Sequence, residues 1–202
     1  PLRRVGDLYR RAARWQARGM DLTTPRLLLR DWRPEEAPRL FDILRRLEVV
    51  EWLGDQGPQP MTSVDEAQDR IGRYAVYNAT RPPLGIWAVE VADGERHGTV
   101  AGTVLLAELP DGDGEIEIAW YLHPDAWGHG YATEAAAAVL DHAFAAGLPE
   151  IWALTHPGND RSQSVCRKLG LRHLGRAVRW YAIPFEQYVV RADEWESRVR
   201  PG

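Results

Sequence analysis

Short apolar runs that suit strands alternate with longer segments of helical character along most of the chain. Seven runs predict strands, near 26–32, 85–92, 98–108, 115–122, 151–155, 171–182 and 185–191. Four segments predict helices, at 34–47, 65–78, 130–146 and 159–169. Asp-Gly turn signals at 93–94 and 111–114 join the three middle strands into a meander. No long linker or internal repeat interrupts this order, so we expect one mixed α/β domain over residues 22–202.

The first 21 residues have a different pattern and form a separate basic extension. Apolar residues recur there at helical spacing, at Leu2, Val5, Leu8, Ala12 and Trp15. Asp7 is opposed by six arginines, Arg3, Arg4, Arg10, Arg11, Arg14 and Arg18. This composition favours a short amphipathic helix. Such a helix would suit an acidic partner or anionic lipid; alternatively, it packs on its own domain or frays as a chain terminus.

The composition excludes several classes of protein. A net charge of −4 and a pI near 5.9 argue against a general nucleic-acid binder. The one cysteine, Cys166, excludes an intramolecular disulfide framework and a cysteine-based zinc site, and no histidine pair has zinc-site spacing. No apolar run has the length of a membrane span. We expect a cytoplasmic protein without a metal and without a nucleic-acid or membrane partner.

A glycine-rich loop at 127–132, with the sequence WGHGYA, stands between a predicted strand and an alanine-rich helix. Glycines at 128 and 130 allow the backbone to approach a diphosphate closely. A helix that begins near Gly130 offers unpaired amides and the positive end of its dipole, and Thr133 adds a hydroxyl on the first turn. A Gly-x-Gly pair alone is equally compatible with a tight turn that binds nothing. The neighbouring motifs therefore decide between a phosphate cradle and a simple turn.

Three motifs, in order, resemble the GCN5-related N-acetyltransferase (GNAT) superfamily, and more closely its RimJ/RimL-like branch. Residues 22–30, LTTPRLLLR, are similar to the usual first strand of that branch. Residues 118–124 and 127–135, IAWYLHP and WGHGYATEA, resemble its strand, loop and helix. Residues 159–162 and 168–171, NDRS and KLGL, are similar to its Asn-x-x-Ser and Lys-Leu-Gly-Phe pattern. The resemblance covers about residues 22–195.

The resemblance implies a GNAT-like fold, a mixed sheet of six or seven strands flanked by helices. It implies acetyl-CoA as the cosubstrate, lying in a V-shaped opening between the strands near 115–122 and 151–155. Trp127 stands where the broad superfamily has Gln or Arg, although an aromatic residue is common there in this branch. The region around Trp52 is where the family builds its acceptor pocket. The residues expected to contact the cosubstrate are Leu122, Trp127, Gly128, His129 (through its backbone), Gly130, Tyr131, Ala132, Thr133, Asn159 and Ser162.

Glu117 is the first candidate for the general base of acyl transfer. Its strand alternates, with Glu115, Glu117, Ala119 and Tyr121 on the face opposite an apolar row. The resembling branch carries a glutamate at the position of Glu117 that is thought to act as base. The alternative for Glu117 is a solvated strand face, and the charge of Glu115 would help a local negative field to attract a cationic amine. Glu115 is a weaker substitute as the base.

The helix at 159–169 brings three further candidates together. Asn159, Ser162 and Cys166 fall within roughly 60° of one another around a helix. Many superfamily members have a tyrosine at the position of Cys166, as general acid to the leaving thiolate. Here either Cys166 takes that role, Ser162 orients the sulfur or carbonyl, or the thiolate leaves unassisted. The structural alternatives are helix capping for Asn159 and Ser162 and a small buried residue for Cys166.

The leading functional hypothesis is an N-acetyltransferase that transfers an acetyl group from acetyl-CoA to a primary amine. The acceptor would be a protein N-terminus, a small amine or an aminoglycoside-type antibiotic. A non-catalytic CoA-binding regulatory module is an alternative, because the usual tyrosine is missing. An interaction protein that uses the basic extension, with a vestigial cradle, is another. The chain would act as a monomer or a homodimer.

Overall fold

The computed structural model describes residues 21–199. The basic extension expected for residues 1–21 therefore lies outside the described residues, apart from Asp21. None of the helices within residues 21–199 is long and apolar enough to cross a membrane.

Eight strands form one sheet in this range. Their spatial order is β1-β2-β3-β4-β5-β6-β8-β7, with β5 and β6 parallel and all other neighbours antiparallel. The predicted mixed α/β architecture is confirmed. The sheet has eight strands, one more than the upper number expected, because the short β1 pairs with β2. The strands are β1 (Leu22–Thr23), β2 (Leu27–Arg30), β3 (Gly85–Val91), β4 (Val100–Glu108), β5 (Ile116–Leu122), β6 (Glu150–Thr155), β7 (Arg172–Ala177) and β8 (Phe185–Arg191).

Six helices flank the sheet in the described part of the chain. They are α1 (Ala37–Leu44), α2 (Leu47–Val50), α3 (Val64–Thr80), α4 (Tyr131–Ala145), α5 (Asp160–Leu169) and α6 (Ala192–Val199). The single helix predicted for 34–47 is wrong in detail. It begins as a 3₁₀ turn at Pro34–Glu36 and breaks at Arg46, whose backbone is extended. The break turns α2, so that Val49 and Val50 join the α1 side chains in one core cluster.

Helices cover both faces of the sheet. The apolar side of α4, with Val139 and Leu140, packs in a core cluster that contains Ile118 and Leu122 of β5. Helices α1, α2 and α3 form a second cluster on the opposite face, which contains Tyr121. Side chains alternate along a strand, so Glu117 lies on the same face as Tyr121. The face expected for Glu117 is thus correct, but helices and loops cover it.

The strand predicted for 171–182 ends early. Ala177 pairs with Phe185, which leaves residues 178–184 as the loop of the β7–β8 hairpin. Pro184 has no backbone N–H for a strand ladder. The loop instead buries Trp180 against Trp152, with the two ring centroids 4.8 Å apart. This positions the next residue, Tyr181, beside the sheet.

Candidate active site

Strands β5 and β6 part at the centre of the sheet. Along Ile116–Leu122 and Glu150–Thr155 their register holds one pair, Glu117 with Trp152. Beyond it β6 continues to pair with β8 on its other side as far as Thr155. The Thr155 hydroxyl is buried there, and it has no hydrogen-bond partner among the described residues. The parting strands therefore form an opening with an unsatisfied polar group at its wall.

The glycine loop lies at the end of this opening, after β5. Gly128 and Gly130 both have φ of 81°, a left-handed conformation that strains other residues. Gly130 is the N-cap of α4 and provides no side-chain cap. The first amides of α4 therefore have no capping partner within the loop and remain free to bind an anion. A Cβ on Gly128 would meet no heavy atom of the described residues within 4 Å, so the surface above the loop is open.

Side chains hold the loop in place from behind. The indole Nε1 of Trp127 donates to the Leu122 carbonyl oxygen at 3.0 Å. Arg26 donates to the His129 carbonyl oxygen at 3.1 Å and forms an ion pair with Glu134 of α4 at 2.6 Å. These contacts fix the loop to the first strands and to the helix. The carbonyl oxygens of Leu122 and His129 thus accept hydrogen bonds within the protein. The amides at the start of α4 are the groups left to contact a ligand.

Arg161 is a residue that the sequence pattern did not identify. Its guanidinium carbon lies 4.2 Å from the centroid of the Trp127 ring, in the first turn of α5. The side chain is exposed and adds a positive charge beside the loop. Such a cation–π contact holds an arginine in one orientation. The aromatic residue at position 127, in place of the usual Gln or Arg, was the available signal that a cation could come from elsewhere.

Asn159 and Ser162 have the capping arrangement proposed as their structural alternative. The Asn159 side-chain oxygen accepts from the Ser162 backbone N–H at 3.1 Å, as the N-cap of α5. This bond occupies one oxygen and leaves the Asn159 amide nitrogen and the half-buried Ser162 hydroxyl for other contacts. Their role toward a cosubstrate stays a prediction.

Cys166 does not have the environment that a general acid needs. Its side chain is fully buried in the core cluster of α4 and the sheet. Burial raises the pKa of the thiol to about 12. Because the residue is enclosed by apolar side chains, it cannot exchange protons with a ligand in the opening. The expectation that Cys166 takes part in catalysis is therefore corrected, and its alternative as a small buried residue describes the structure.

Glu117 lies at the vertex of the opening, where β5 and β6 make their one pair. Its residue exposure is 9%. The carboxylate accepts a hydrogen bond from the Tyr181 hydroxyl at 3.2 Å and another from the backbone N–H of Leu154. Burial raises the pKa of Glu117 to about 7, and the two hydrogen bonds oppose this only in part. A carboxyl with this pKa can take up and release a proton near neutral pH.

Glu115, two residues earlier, has a different environment. It forms an ion pair with Arg179 at 2.6 Å and accepts from the Asp113 backbone N–H at 2.7 Å. Backbone hydrogen bonds of the turn hold the pKa of Glu115 below its ordinary value. Glu115 is thus a charged structural residue that ties the β4–β5 hairpin to the 178–184 loop. It does not share the candidate chemistry of Glu117.

Two loops meet at the mouth of the opening on the Glu117 side. The Ala182 backbone N–H donates to Asp55 at 3.0 Å. His156, after β6, contacts the Gly54 carbonyl oxygen at 2.8 Å, and its ring lies edge-on to Trp52 with centroids 6.3 Å apart. Trp52 thus lies beside the opening, in the region expected for the acceptor. Pro184 was the sequence signal for the loop that carries Tyr181, since a proline interrupts a strand pattern.

The fold and the site combine a parting parallel strand pair with a glycine loop at a helix N-terminus. The sequence profile of the Acetyltransferase (GNAT) domain matches residues 26–172, more than half of the chain. The chain belongs to the GNAT family of acetyltransferases, as the motifs predicted.

Individual relatives agree with this assignment. YoaA of Bacillus subtilis (strain 168), described as an uncharacterized N-acetyltransferase, is 29% identical over 157 residues, which are 76% of this chain and 84% of the relative. A GNAT-family acetyltransferase structure from Bacillus anthracis has a TM-score of 0.70 at 21% identity and covers 87% of this chain and 100% of its own. Mycobacterium smegmatis RimJ, solved in complex with CoA-disulfide, has a TM-score of 0.68 at 21% identity and covers 83% of each chain. The solved structures share the fold of this chain and include a member of the branch that its motifs resemble.

Proposed function

We propose that the protein transfers an acetyl group from acetyl-CoA to a primary amine, with Glu117 as the general base. The observation that carries this proposal is the buried Glu117 carboxyl at the vertex of the β5–β6 opening, with a pKa of about 7. A glutamate on a solvated strand face would keep its ordinary pKa, and its carboxyl would be exposed. A buried acid with a raised pKa is characteristic of a residue that transfers a proton.

The donor side of the site fits a CoA thioester. The unpaired amides at the start of α4 would hold the pyrophosphate, and Gly128 leaves the space for its close approach. Arg161 would add a positive charge to the same anion. The Thr155 hydroxyl at the end of β6 and the Asn159 amide at the start of α5 would serve as partners for the amide groups of the pantetheine arm. Bound there, acetyl-CoA supplies an acetyl group that is already activated as a thioester.

The reaction requires the acceptor amine to lose one proton. The amine nitrogen forms a bond to the acetyl carbon, the carbon–sulfur bond breaks, and the amine proton passes to Glu117, directly or through one water. The CoA sulfur leaves as a thiolate and takes a proton from solvent, because Cys166 is enclosed in the core. Ser162, half-buried on the first turn of α5, is the remaining side chain of that helix that could orient the sulfur or carbonyl.

The proposal is tested by measuring thiol release from acetyl-CoA with a panel of primary amines, together with acetyl-CoA binding by thermal shift. We expect a rise in melting temperature with acetyl-CoA, worth about 2.7 kcal/mol at 100 times the dissociation constant, and thiol release that depends on an amine. Binding without thiol release for every amine would support the regulatory CoA-binding module instead. Absence of both would refute the proposal.

A further inference from the structure

A cavity of about 240 Å³ lies between α1, α2 and α3, against the core cluster that contains Tyr121 of β5. One wall is apolar and the other polar. A space of this size is smaller than the pockets that hold drug-sized ligands, at about 300–1,000 Å³, so it suits a small molecule. The apolar wall comprises Leu44, Val50, Leu53 and Met61, and the polar wall Asp55, Gln56, Gln59 and Arg70.

Arg70 is the cation of this cavity, and its charge acts on Glu66, one turn earlier on α3, without an ion pair. It is half-buried on α3, one turn before Tyr74. Among residues 21–199 no carboxylate lies within 4.0 Å of its nitrogens. A guanidinium presents its donors in a fork that matches the two oxygens of a carboxylate or phosphate. A half-buried arginine in this state indicates an anionic ligand group.

Asp55 does not supply the missing anion, although it lines the same cavity. Its two oxygens accept from the Ala182 backbone N–H and from the Gln56 side chain, both at 3.0 Å. These bonds keep the carboxylate at the rim, where it joins the loop that carries Tyr181. The cavity therefore contains a fixed anion at one place and an unpaired guanidinium at another.

The cavity and the proposed base share one face of β5. The Tyr74 and Tyr121 hydroxyls are 2.9 Å apart, and the charge of Arg70 acts on Tyr121. Tyr121 follows Glu117 by four residues on the same face, a separation of about 13 Å along a strand. A molecule of about this length that places an anionic end near Arg70 can thus direct an amine at its other end toward Glu117. The positive charge of Arg70 also repels an ammonium group, which favours that orientation.

We propose that Arg70 binds an anionic group of the acceptor, so that the substrate is a small primary amine that carries a carboxylate or a phosphate. This inference rests on the proposed transferase function and specifies its acceptor. The apolar wall would contact the aliphatic part of such a molecule.

The test compares matched acceptors in the thiol-release assay. 8-Aminooctanoate and 8-aminooctanamide differ in the carboxylate, and 8-aminooctyl phosphate and 8-aminooctan-1-ol differ in the phosphate, and all four have a chain of about 10 Å between the amine and the other end. We expect the anionic member of at least one pair to have the lower KM, and Arg70→Gln to raise that KM by about tenfold to a hundredfold, the usual effect of a charged hydrogen bond. The KM of the member without the carboxylate or phosphate should be the same in Arg70→Gln as in the wild type. The pair that responds identifies the anionic group.

Arg73→Gln is the matched control, because Arg73 is exposed on the same helix and the charge change is the same. Equal KM values for both members of each pair, or equal effects of Arg70→Gln and Arg73→Gln, would overturn the inference while amine-dependent thiol release left the transferase proposal intact. Calorimetric binding of the four compounds to the CoA-saturated protein separates the two proposals further. Binding of an anionic amine that is lost in Arg70→Gln alone supports the subsite even without turnover, whereas binding that is absent or unchanged refutes it.

Discussion

The Glu117 carboxyl is buried where β5 and β6 part. Its two hydrogen-bond donors compensate only in part for the hydration that the charged form loses on burial. Tyr181 and the Leu154 amide both favour its charged form, yet the pKa is raised to about 7. The proton is therefore held through the acid range and released near neutrality. At the scale of one residue, burial prepares the group for proton transfer.

We predict that Glu117→Gln lowers the rate of amine-dependent thiol release at pH 7.5 by about 100-fold or more, the usual contribution of a general base. The dissociation constant for acetyl-CoA should stay the same, because the residue faces the acceptor side. In the wild type, kcat/KM should rise with pH through about 7, as Glu117 loses its proton. In the variant this limb should be absent. Unchanged turnover would remove Glu117 from the mechanism.

Tyr181→Phe provides the matched control for the pH profile. The Tyr181 hydroxyl donates to the carboxylate, so its removal raises the pKa of Glu117 further. The midpoint of the profile should move to higher pH, and the rate above that midpoint should recover. A loss of rate without a shift of the midpoint would assign Tyr181 another role.

The sequence could identify Glu117 but not its environment. Strand alternation placed the carboxylate on the correct face, and the resemblance selected it over Glu115. Neither could show that α1–α3 and the 178–184 loop exclude water from that face, because those contacts come from distant parts of the chain. The catalytic role expected for Cys166 was not supported, for a related reason. Helical spacing placed it on the side of Asn159, but burial depends on the depth at which α5 packs.

Among the elements, α4 and α5 begin differently. Asn159 caps α5 with its side chain, whereas Gly130 begins α4 with a left-handed backbone and no cap. A capped helix has used one of its amides, and an uncapped helix next to a bare glycine can give them to a phosphate. The local sequence was enough to predict the glycine loop and the starts of both helices, since glycine pairs and helix spacing are short-range features.

We predict that Gly130→Val abolishes acetyl-CoA binding in a thermal-shift or calorimetric titration. The substitution puts a branched side chain at φ of 81°, with its Cβ 3.5 Å from the Arg26 side chain that holds the loop, so the loop should lose the backbone conformation that directs its amides toward a phosphate. Gly147→Val is the control, because Gly147 has φ of 87° at the other end of α4 and no heavy atom of the described residues within 4 Å of an added Cβ. It should have the same backbone strain and normal acetyl-CoA affinity. Equal affinities of both variants would contradict the cradle.

The break at Arg46 and the loop at 178–184 were beyond prediction from local pattern. Residues 34–47 have a continuous helical composition, and the turn between α1 and α2 exists because Val49 and Val50 reach the same core as α1. The 178–184 segment is rich in aromatic residues that suit a strand. Its packing against Trp152 decides otherwise. In both places tertiary contacts override the local preference.

At the scale of the whole molecule, the buried acid makes stability depend on pH. Glu117 has a pKa of about 7 when folded, against an ordinary 4.5. The folded protein thus binds this proton more tightly than the unfolded chain. The associated stabilisation is complete below about pH 4.5 and is lost as pH rises through about 7.

We predict that the melting temperature of Glu117→Gln rises relative to the wild type between pH 5 and pH 8, as measured by calorimetry. The variant carries an uncharged side chain of similar size and avoids the buried charge. Glu115→Gln is the contrast, because the pKa of Glu115 is lowered and its charged form loses its stabilising effect only as pH falls below the ordinary 4.5, so the difference between this variant and the wild type should stay constant from pH 5 to pH 8. A constant difference between Glu117→Gln and the wild type across this range would contradict the raised pKa.

The order of three motifs was sufficient to predict the family and the mixed sheet, because the motifs mark successive strands and helices of one architecture. The acceptor side was not accessible in the same way. Its residues come from α1–α3, the segment after α2 and the 178–184 loop, which are distant in sequence and have no shared spacing. Arg70 and Tyr181 are recognised only when these segments are brought together.

The single register pair between β5 and β6 divides the sheet into a half of five strands and a half of three. Along this seam the Leu154 backbone N–H bonds to the Glu117 side-chain carboxylate, where a continuous sheet would have a hydrogen bond between two backbone groups. Amide hydrogen exchange at Leu154 should therefore report the protonation of Glu117, whereas the amides of the β3–β4 and β4–β5 ladders report global unfolding. The group that would accept a proton in each turnover thus also bonds across the seam between the two parts of the sheet.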